Sequence, residues 1–478
     1  MCFNIAIVLS CHFCDLFPHL KNTGNRMVDV FVHRTGLDTA AVEERRDLVQ
    51  VVPDGGKLPC DSFDLIRVDI EHIRGEMMNY LISAYSVNPY KGSEDSIGWN
   101  WVLQYEKNYK EGDRIILLTK KFNEKDTRRG LKEFNIQHVE LVIVDVPDAL
   151  NWFREKHSAF HHMYYILWQH WAWLWVKHSG IHFDVIHHVT MNDYRIPSEM
   201  YKAKGAKVIW GPMGGAQVTP KPLKVYEKNQ LAAAFREFVN KSCSWNPFYR
   251  NAIKQYKAIY CINKETQIQI EKIVGKSVEL LPELALREEY RNIDYFKRNN
   301  QTCKIVFVGR LIGKKGIAFL VDALSYMPND LSWELDIYGD GVDRESIEKK
   351  IENSVVANHI NLLGNRPLNQ ISEAYKTADI FVLPSLRETS GNVLLEAMAY
   401  AVPIVAFDTS FSSMLKEHDC GIFIDTNQNI EAIKRDFCCA LTRLIKDAGL
   451  REQLGLNGKN FANANLTWEQ KFKHIYAR

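Results

Sequence analysis

No stretch of this 478-residue sequence reaches the roughly 18 consecutive apolar residues that would suggest a membrane-spanning helix. Charge of either sign is not in excess. Sixty basic and 58 acidic side chains leave a formal net charge of +2, which gives no electrostatic case for nucleic acid as a partner. The ten cysteines are scattered, and Cys11-His-Phe-Cys14 is a lone CxxC without a second pair at zinc spacing or the strand–helix context of a redox motif. That usage fits a reducing cytosol. Cys2 to Phe17 is moderately apolar, but it lacks a basic leader and is broken by His12 and Asp15, so it makes a poor signal peptide. His157, His161, His162 and His170 have no clear carboxylate partners, and no metal site is expected.

What the chain does hold is the composition of an ordinary soluble globular protein, 46% hydrophobic and 25% charged, at a length that suits two or more domains. Residues 1–76 stand apart. They contain short apolar runs (Asn4 to Ser10, Val28 to Val32, Leu48 to Val52) between charged stretches and a Pro53-Asp-Gly-Gly turn, and no convincing site. Three origins stay open for this extension: an added segment, a remnant of another gene, or an early start codon.

From Asn79 onward strand and helix signals alternate. Tyr80 to Tyr85, Arg114 to Thr119, Val139 to Val146, Asp184 to His188, Lys207 to Trp210 and Ala258 to Ile262 read as buried strands. Such alternation predicts a parallel sheet covered by helices on both faces, with ligands beyond the carboxyl ends of the strands. Three loops fall at those ends. Pro89-Tyr-Lys-Gly-Ser-Glu94 offers Gly92 and Ser93 for close backbone approach to a phosphate or sugar, unless it is a plain polar turn. His187-His188 closes a strand, where a histidine can be structural, a general base or a sugar contact. Gly211-Pro-Met-Gly-Gly215 is either a ligand loop or a tight strand–helix turn.

Residues 151–178 are rich in Trp, Tyr and His, with Trp168, Trp171, Trp175 and His178 at helical spacing. One reading is a surface that docks at a membrane interface or receives a lipid-linked acceptor. The other is a helix packed on the sheet, which the usual direction of apolar stripes favours.

A charged linker from Arg287 to Thr302 precedes a second strand series: Lys304 to Gly309, Trp333 to Gly341, Ile360 to Gly364, and then Ala378 to Phe407. In the last unit Ile380 to Leu383 reads as a strand, Thr389 or Ser390 as a helix cap, and Asn392 to Tyr400 as the helix. Ser390-Gly391-Asn392 places backbone N–H groups at a helix start behind a strand end, a site for an anion such as phosphate. Glu396 sits in an apolar helical run, where a carboxylate is costly to bury unless a partner such as a polyhydroxyl ligand meets it. The alternative is a solvated helix edge.

Gly309-Arg-Leu-Ile-Gly-Lys-Lys-Gly316, Ile337-Tyr-Gly-Asp-Gly341, Leu363-Gly364 and Ala378-Asp-Ile-Phe-Val-Leu-Pro-Ser385, followed by Glu388 and Leu-Glu-Ala-Met-Ala, resemble the GT-B glycosyltransferases. The closest group is the retaining family 4, the glycosyl transferases group 1, in a bacterial polysaccharide-type branch. The likeness is dense over 304–425, fainter over 79–220, and absent from 1–76.

The resemblance implies an α/β fold of two Rossmann-like domains facing across a cleft. It places the N-terminal acceptor domain at 77–285, the nucleotide-sugar domain at 286–460, and a terminal helix at 461–478 that crosses back, letting the halves close over the donor. It assigns Arg310 and Lys315 to the donor diphosphate, in place of a divalent metal. Glu388 lies near the transferred sugar, Glu396 on the ribose hydroxyls, and Ser390, Gly391 and Asn392 on sugar or phosphate. Asn365 and Arg366 line the base pocket, Gly92 and Ser93 form the flexible loop, and His188 or its neighbour His187 is the strand-end histidine. No cofactor is implied beyond the nucleotide-diphosphate sugar as donor substrate, and the acceptor is a glycan or lipid-linked glycan. The setting is cytoplasmic, with room for peripheral association at the inner face of a membrane. A sugar-nucleotide epimerase on the same fold and a non-catalytic glycan-binding relative are the competing readings.

Overall fold

The computed structural model describes residues 27–33, 49–52, 63–69, 77–92, 94–147, 161–283, 285–388 and 391–476, the first three segments as backbone strands only. The chain divides into two compact units, one made of 1–78 with 110–114, the other of 79–109 with 115–478. In the first unit β1 (Met27–His33) pairs antiparallel with both β2 (Val49–Val52) and β3 (Phe63–Asp69). The last of these strands is not anticipated by the apolar runs above.

The second unit contains two sheets. The N-terminal one has seven strands, β4 (Asn79–Ser83), β5 (Arg114–Thr119), β6 (Val139–Ile143), β7 (Val185–His188), β8 (Lys207–Met213), β9 (Ala258–Cys261) and β10 (Glu279–Leu280), in the order β10-β9-β8-β7-β4-β5-β6. β7, central and fully buried, carries the sequence Val-Ile-His-His. The aromatic stretch forms a helix, His161–His178, laid on this sheet. Trp168 is wholly buried and its indole N–H donates to the Val144 carbonyl (2.8 Å), while Trp171 and Trp175 pack partly against the same core. The stripe therefore faces the sheet, because a large apolar face gains most free energy where a second layer covers it. Residues 151–160, the other part of that stretch, lie outside the described residues.

The C-terminal sheet has six parallel strands: β11 (Cys303–Val308), β12 (Trp333–Tyr338), β13 (Ile360–Gly364), β14 (Ile380–Leu383), β15 (Ile404–Phe407) and β16 (Gly421–Ile424). Their order is β13-β12-β11-β14-β15-β16. Chain progression reverses between β11 and β14 here, and between β4 and β7 in the other sheet. In doubly wound sheets such reversals leave a crevice at the carboxyl ends of the two strands.

The polypeptide passes between the two sheets twice, side by side. After β10 it crosses at 281–286, and it returns at Leu466–Thr467. Leu286 N–H donates to the Leu466 carbonyl (2.6 Å), and Leu286 and Thr467 form a parallel bridge. The helix Trp468–Tyr476 then packs on the N-terminal sheet's helix Glu94–Lys107, with Trp468 and Trp101 rings 5.6 Å apart and Phe472 and Tyr105 rings 5.3 Å apart. Buried Lys471 donates to the Glu283 carbonyl (2.5 Å), tying the two crossings together.

Candidate active site

The C-terminal crevice is built from backbone first. β11 runs out into Gly309–Gly316, and β14 into Pro384–Gly391. Leu386 N–H donates to the Lys314 carbonyl (2.8 Å), so the loops touch. They can do so because Gly316 has no side chain. Its φ is +71°, and a Cβ there would stand 1.9 Å from the Pro384 carbonyl oxygen. Gly339 serves the next interval, where a Cβ would fall 1.9 Å from the Gly309 carbonyl. Gly309 N–H donates to Tyr338 and Gly339 N–H to Gly364 (2.9 and 2.8 Å), so the glycine motifs of three successive strands form one platform.

On that platform Lys315 Nζ lies 2.5 Å from Glu388 Oε2, and the Ser385 hydroxyl donates to the same oxygen (3.1 Å). Glu388 is buried. Burial pushes its carboxyl up, but the charge of Lys315, the hydrogen bonds from Lys315 and Ser385, and the charge of Lys314 together hold it below the usual value. Lys314 is itself pushed down, first by burial and then by repulsion from Lys315. Arg310 is exposed on the same loop.

Beside this pair the helix Asn392–Ala399 begins. Its cap is Gly391, left-handed at φ +62°, with no side chain bonded to the first turn. The expected cap, Thr389 or Ser390, lies outside the described residues. With the first helical residue at Asn392, the capping position falls on glycine, which offers no side-chain acceptor. Ser93 in the other domain also lies outside the described residues. The first N–H groups of a helix have no partner within it, and the capping glycine has no side chain to supply one.

One turn on, Glu396 faces a narrow cleft of about 20 Å³, shared with Ser96 and Asn100 from the N-terminal domain, Arg287 and Tyr290 just after the crossing, and Trp468 from the terminal helix. Burial raises its carboxyl above the usual value. A hydrogen bond from the Tyr375 hydroxyl (3.1 Å to Oε2) and the charge of Arg287 offset part of that cost. A Cβ on Gly92 would lie 3.8 Å from the Arg287 guanidinium, so the Gly92 loop reaches the same region.

Asn365 and Arg366 are exposed at the end of β13, two strands from the crevice, and do not line the Glu396 cleft. Of the readings left open for the two histidines, the structural one fits their surroundings. Adjacent strand residues point to opposite faces of a sheet, and both faces here are covered. His187 Nε2–H donates to the Gly211 carbonyl (2.8 Å), and its Nδ1 accepts from the Tyr476 hydroxyl (2.6 Å). His188 bonds Ser83 Oγ (2.9 Å) through Nδ1 and the Tyr165 hydroxyl (2.8 Å) through Nε2. Both are wholly buried, and burial pushes them down to about 4 and about 3, so they are neutral packing groups whose nitrogens are occupied within the protein. Residue types alone did not single out Lys314, Tyr375, Arg287 or Trp468. Lys314 and Ser385 stand inside recognised motifs, and that is their only signal.

The family described as Glycosyl transferases group 1 matches residues 291–461. An uncharacterized glycosyltransferase of Methanocaldococcus jannaschii is 25% identical over 291 residues, which cover 59% of this chain and 77% of that one. The alpha-monoglucosyldiacylglycerol synthase of Acholeplasma laidlawii is 30% identical over 183 residues, or 38% of this chain and 42% of that protein. Among solved structures, the lipopolysaccharide outer core galactosyltransferase WaaB superposes over 84% of this chain and 99% of its own at a TM-score of 0.57 and 16% identity. Anabaena HepE in complex with UDP-glucose does so over 84% and 99% at 0.51 and 14%. These likenesses give the chain the GT-B fold, and residues 291–461 match the Glycosyl transferases group 1 domain.

Proposed function

We propose that the protein is a retaining, metal-independent glycosyltransferase of family 4 that moves a sugar from a nucleoside-diphosphate donor to a glycan or lipid-linked glycan, in surface polysaccharide synthesis at the cytoplasmic side of a membrane. The observation that carries this reading is the pairing of Lys315 with Glu388 beside a glycine-capped helix start, at the point where strand order reverses. Lysine and helix N–H groups there offer a fixed positive environment for a diphosphate. Arg310, on the same loop, can swing in as a second cation.

In this reading Glu396 and the Tyr375 hydroxyl hold the ribose hydroxyls, and Gly391 and Asn392 present backbone N–H groups to the donor. The bond from the sugar's anomeric carbon to the β-phosphate oxygen breaks as the acceptor hydroxyl attacks from the same face. The acceptor's proton passes to the departing phosphate oxygen. Lys315 stabilises the charge that develops on that oxygen, and Glu388 keeps the ammonium in place until it does so. HepE's complex with UDP-glucose supports a nucleotide sugar as the donor class.

The test is titration calorimetry with UDP, GDP and ADP, with and without EDTA, followed by a screen of nucleotide sugars for slow hydrolysis. Binding of one nucleoside diphosphate that EDTA leaves unchanged is expected. Absence of nucleotide binding would favour a non-catalytic relative, and an isomerised free sugar formed without acceptor would favour an epimerase.

A further inference from the structure

The helix Gln230–Trp245 is packed inside out. Its only fully buried residue is Asn240, whose side chain donates to the Ala216 carbonyl (3.2 Å) and whose own carbonyl accepts from the Tyr194 hydroxyl (3.1 Å). Its large apolar residues point to solvent: Leu231 is 85% exposed, Phe235 68%, Phe238 60% and Trp245 71%, with Phe248 of the following helix, Pro247–Lys254, at 85%. Leu231, Phe238 and Trp245 are seven residues apart and Phe235 falls between the first two, so they share one helical face. A soluble protein seldom leaves such a row uncovered unless something docks on it.

Charge identifies the occupant. Between residues 230 and 257 the chain has five basic side chains and one acidic, Glu237, which is paired with Lys224 (2.6 Å). Lys241, Arg250, Lys254 and Lys257 are exposed and form no ion pair among the described residues. Lys241 stands on the apolar face itself, three residues after Phe238 and four before Trp245. A second copy of the chain docking on this face about a two-fold axis would set this basic patch against an equally basic one. An anionic bilayer instead accepts the aromatic rings among its acyl chains and the ammonium groups among its headgroups.

We propose that the exposed face of Gln230–Trp245 with Phe248 is an in-plane docking surface for an anionic lipid bilayer. This deepens the peripheral part of the reading above, yet its test needs neither donor nor acceptor. The helix is tied to the active-site side of the molecule. The segment leading into it carries Glu227, which pairs with Arg387 (3.0 Å), the neighbour of Glu388. Docking here therefore holds the donor crevice at the membrane surface, where a lipid-linked acceptor would be met.

Sucrose-loaded vesicles of phosphatidylglycerol and phosphatidylethanolamine, with phosphatidylcholine vesicles as control, are sedimented with the full chain. The chain is expected to pellet with the anionic vesicles, and raising salt from about 0.1 to 1 M, which shortens the screening length from about 10 to 3 Å, should release most of it. Phe235→Ser, Phe238→Ser and Phe248→Ser together should lower partitioning at least about tenfold, and Lys241→Glu with Arg250→Glu about tenfold at low salt. Because these side chains are exposed, melting and nucleotide titration in solution should be unchanged, which separates failure of this inference from failure of the functional reading. Three results would overturn it: no pelleting with anionic vesicles, pelleting that the serine variant leaves intact, or a solution dimer that the serine variant dissociates.

Discussion

Replacing Lys315 with methionine separates the two jobs assigned to that side chain. In the native protein its ammonium meets Glu388 at 2.5 Å, with the two side chains only 14% and 11% exposed. Removing one partner of a buried ion pair costs about 3–5 kcal/mol, because the other charge stays behind. Partial wetting and the remaining help of Ser385 and Lys314 put Lys315→Met at the low end, about 3 kcal/mol. That corresponds to a fall of roughly 6–12 °C in Tm for a domain of this size. The pH dependence has a definite sign. In the native protein Glu388 is held below its usual value, so its stabilisation is present above the ordinary carboxylate range and is lost as pH falls through the folded value. In the variant, burial is no longer opposed by Lys315 and the carboxyl should rise, so acidification relieves it and the gap between the two proteins narrows. Lys315→Met with Glu388→Gln removes both charges and should recover stability to within about 1 kcal/mol. Turnover should stay about 10²–10³-fold down, since the leaving diphosphate has lost its cation. Denaturant melts at pH 7 and 5 and donor-hydrolysis rates read the two effects independently. If the double variant regains turnover together with stability, Lys315 is scaffold and the donor site lies elsewhere.

Glu396→Gln should leave stability unchanged or slightly higher, because the raised carboxyl is costly to ionise where it stands, while nucleotide affinity falls about tenfold or more. Native affinity should also decline as pH drops into the raised carboxyl range and the variant's should not, which calorimetry at several pH values will show. His187 and His188 are neutral in the fold, with pKa values of about 4 and about 3. Their contribution is therefore complete above the unfolded value near 6.5 and is lost as pH falls below it, at about 1.4 kcal/mol per histidine per pH unit. A denaturation series from pH 7 to 5 without that slope would show that one of them is charged or exposed. Tyr476→Phe leaves the buried Nδ1 of His187 without its donor and should cost about 1–3 kcal/mol, with faster amide exchange in the terminal helix. Gly316→Ala drives a methyl group into the Pro384 carbonyl at a left-handed φ and should cost more than about 3 kcal/mol, read as loss of soluble, nucleotide-binding protein.

The second domain was open to reading because its signals are local. Ile360–Gly364, Ile380–Leu383 and the helix start at Asn392 are fixed by short apolar runs with glycine or proline at their edges, and the structure begins and ends those elements where the residues suggest. Arg114–Thr119 behaves in the same way in the first domain. The two-residue strand Glu279–Leu280 carries no such signal, being too short for any period to register. The histidines mark a different limit. A strand end was legible, but period-two geometry sends neighbours to opposite faces, and the covering residues Tyr165 and Tyr476 lie 23 and 289 residues away from their partners. The wall of the Glu396 cleft is likewise assembled from positions as distant as Ser96 and Trp468. The exposed aromatics of Gln230–Trp245 have an ordinary amphipathic pattern, and only the packing reveals that the apolar side faces outward.

The paired crossings at Leu286 and Thr467 have a mechanical consequence. Two bodies joined by a single strand of chain can swivel in any direction about it. Two strands lying side by side and bonded to each other act as a hinge with one easy axis, and twisting about any other must break the Leu286–Leu466 hydrogen bond or the Lys471 tether. The lobes can therefore open like a book bound along that spine only once the ties away from it, Tyr226–Asp322, Lys228–Asp343 and Glu227–Arg387, have parted. The Glu396 pocket lies close to the binding, walled by Leu286 and Trp468, and widens little as the covers part. Groups farther from the spine sweep through larger arcs, so opening frees the outer part of a ligand before it frees whatever Glu396 holds.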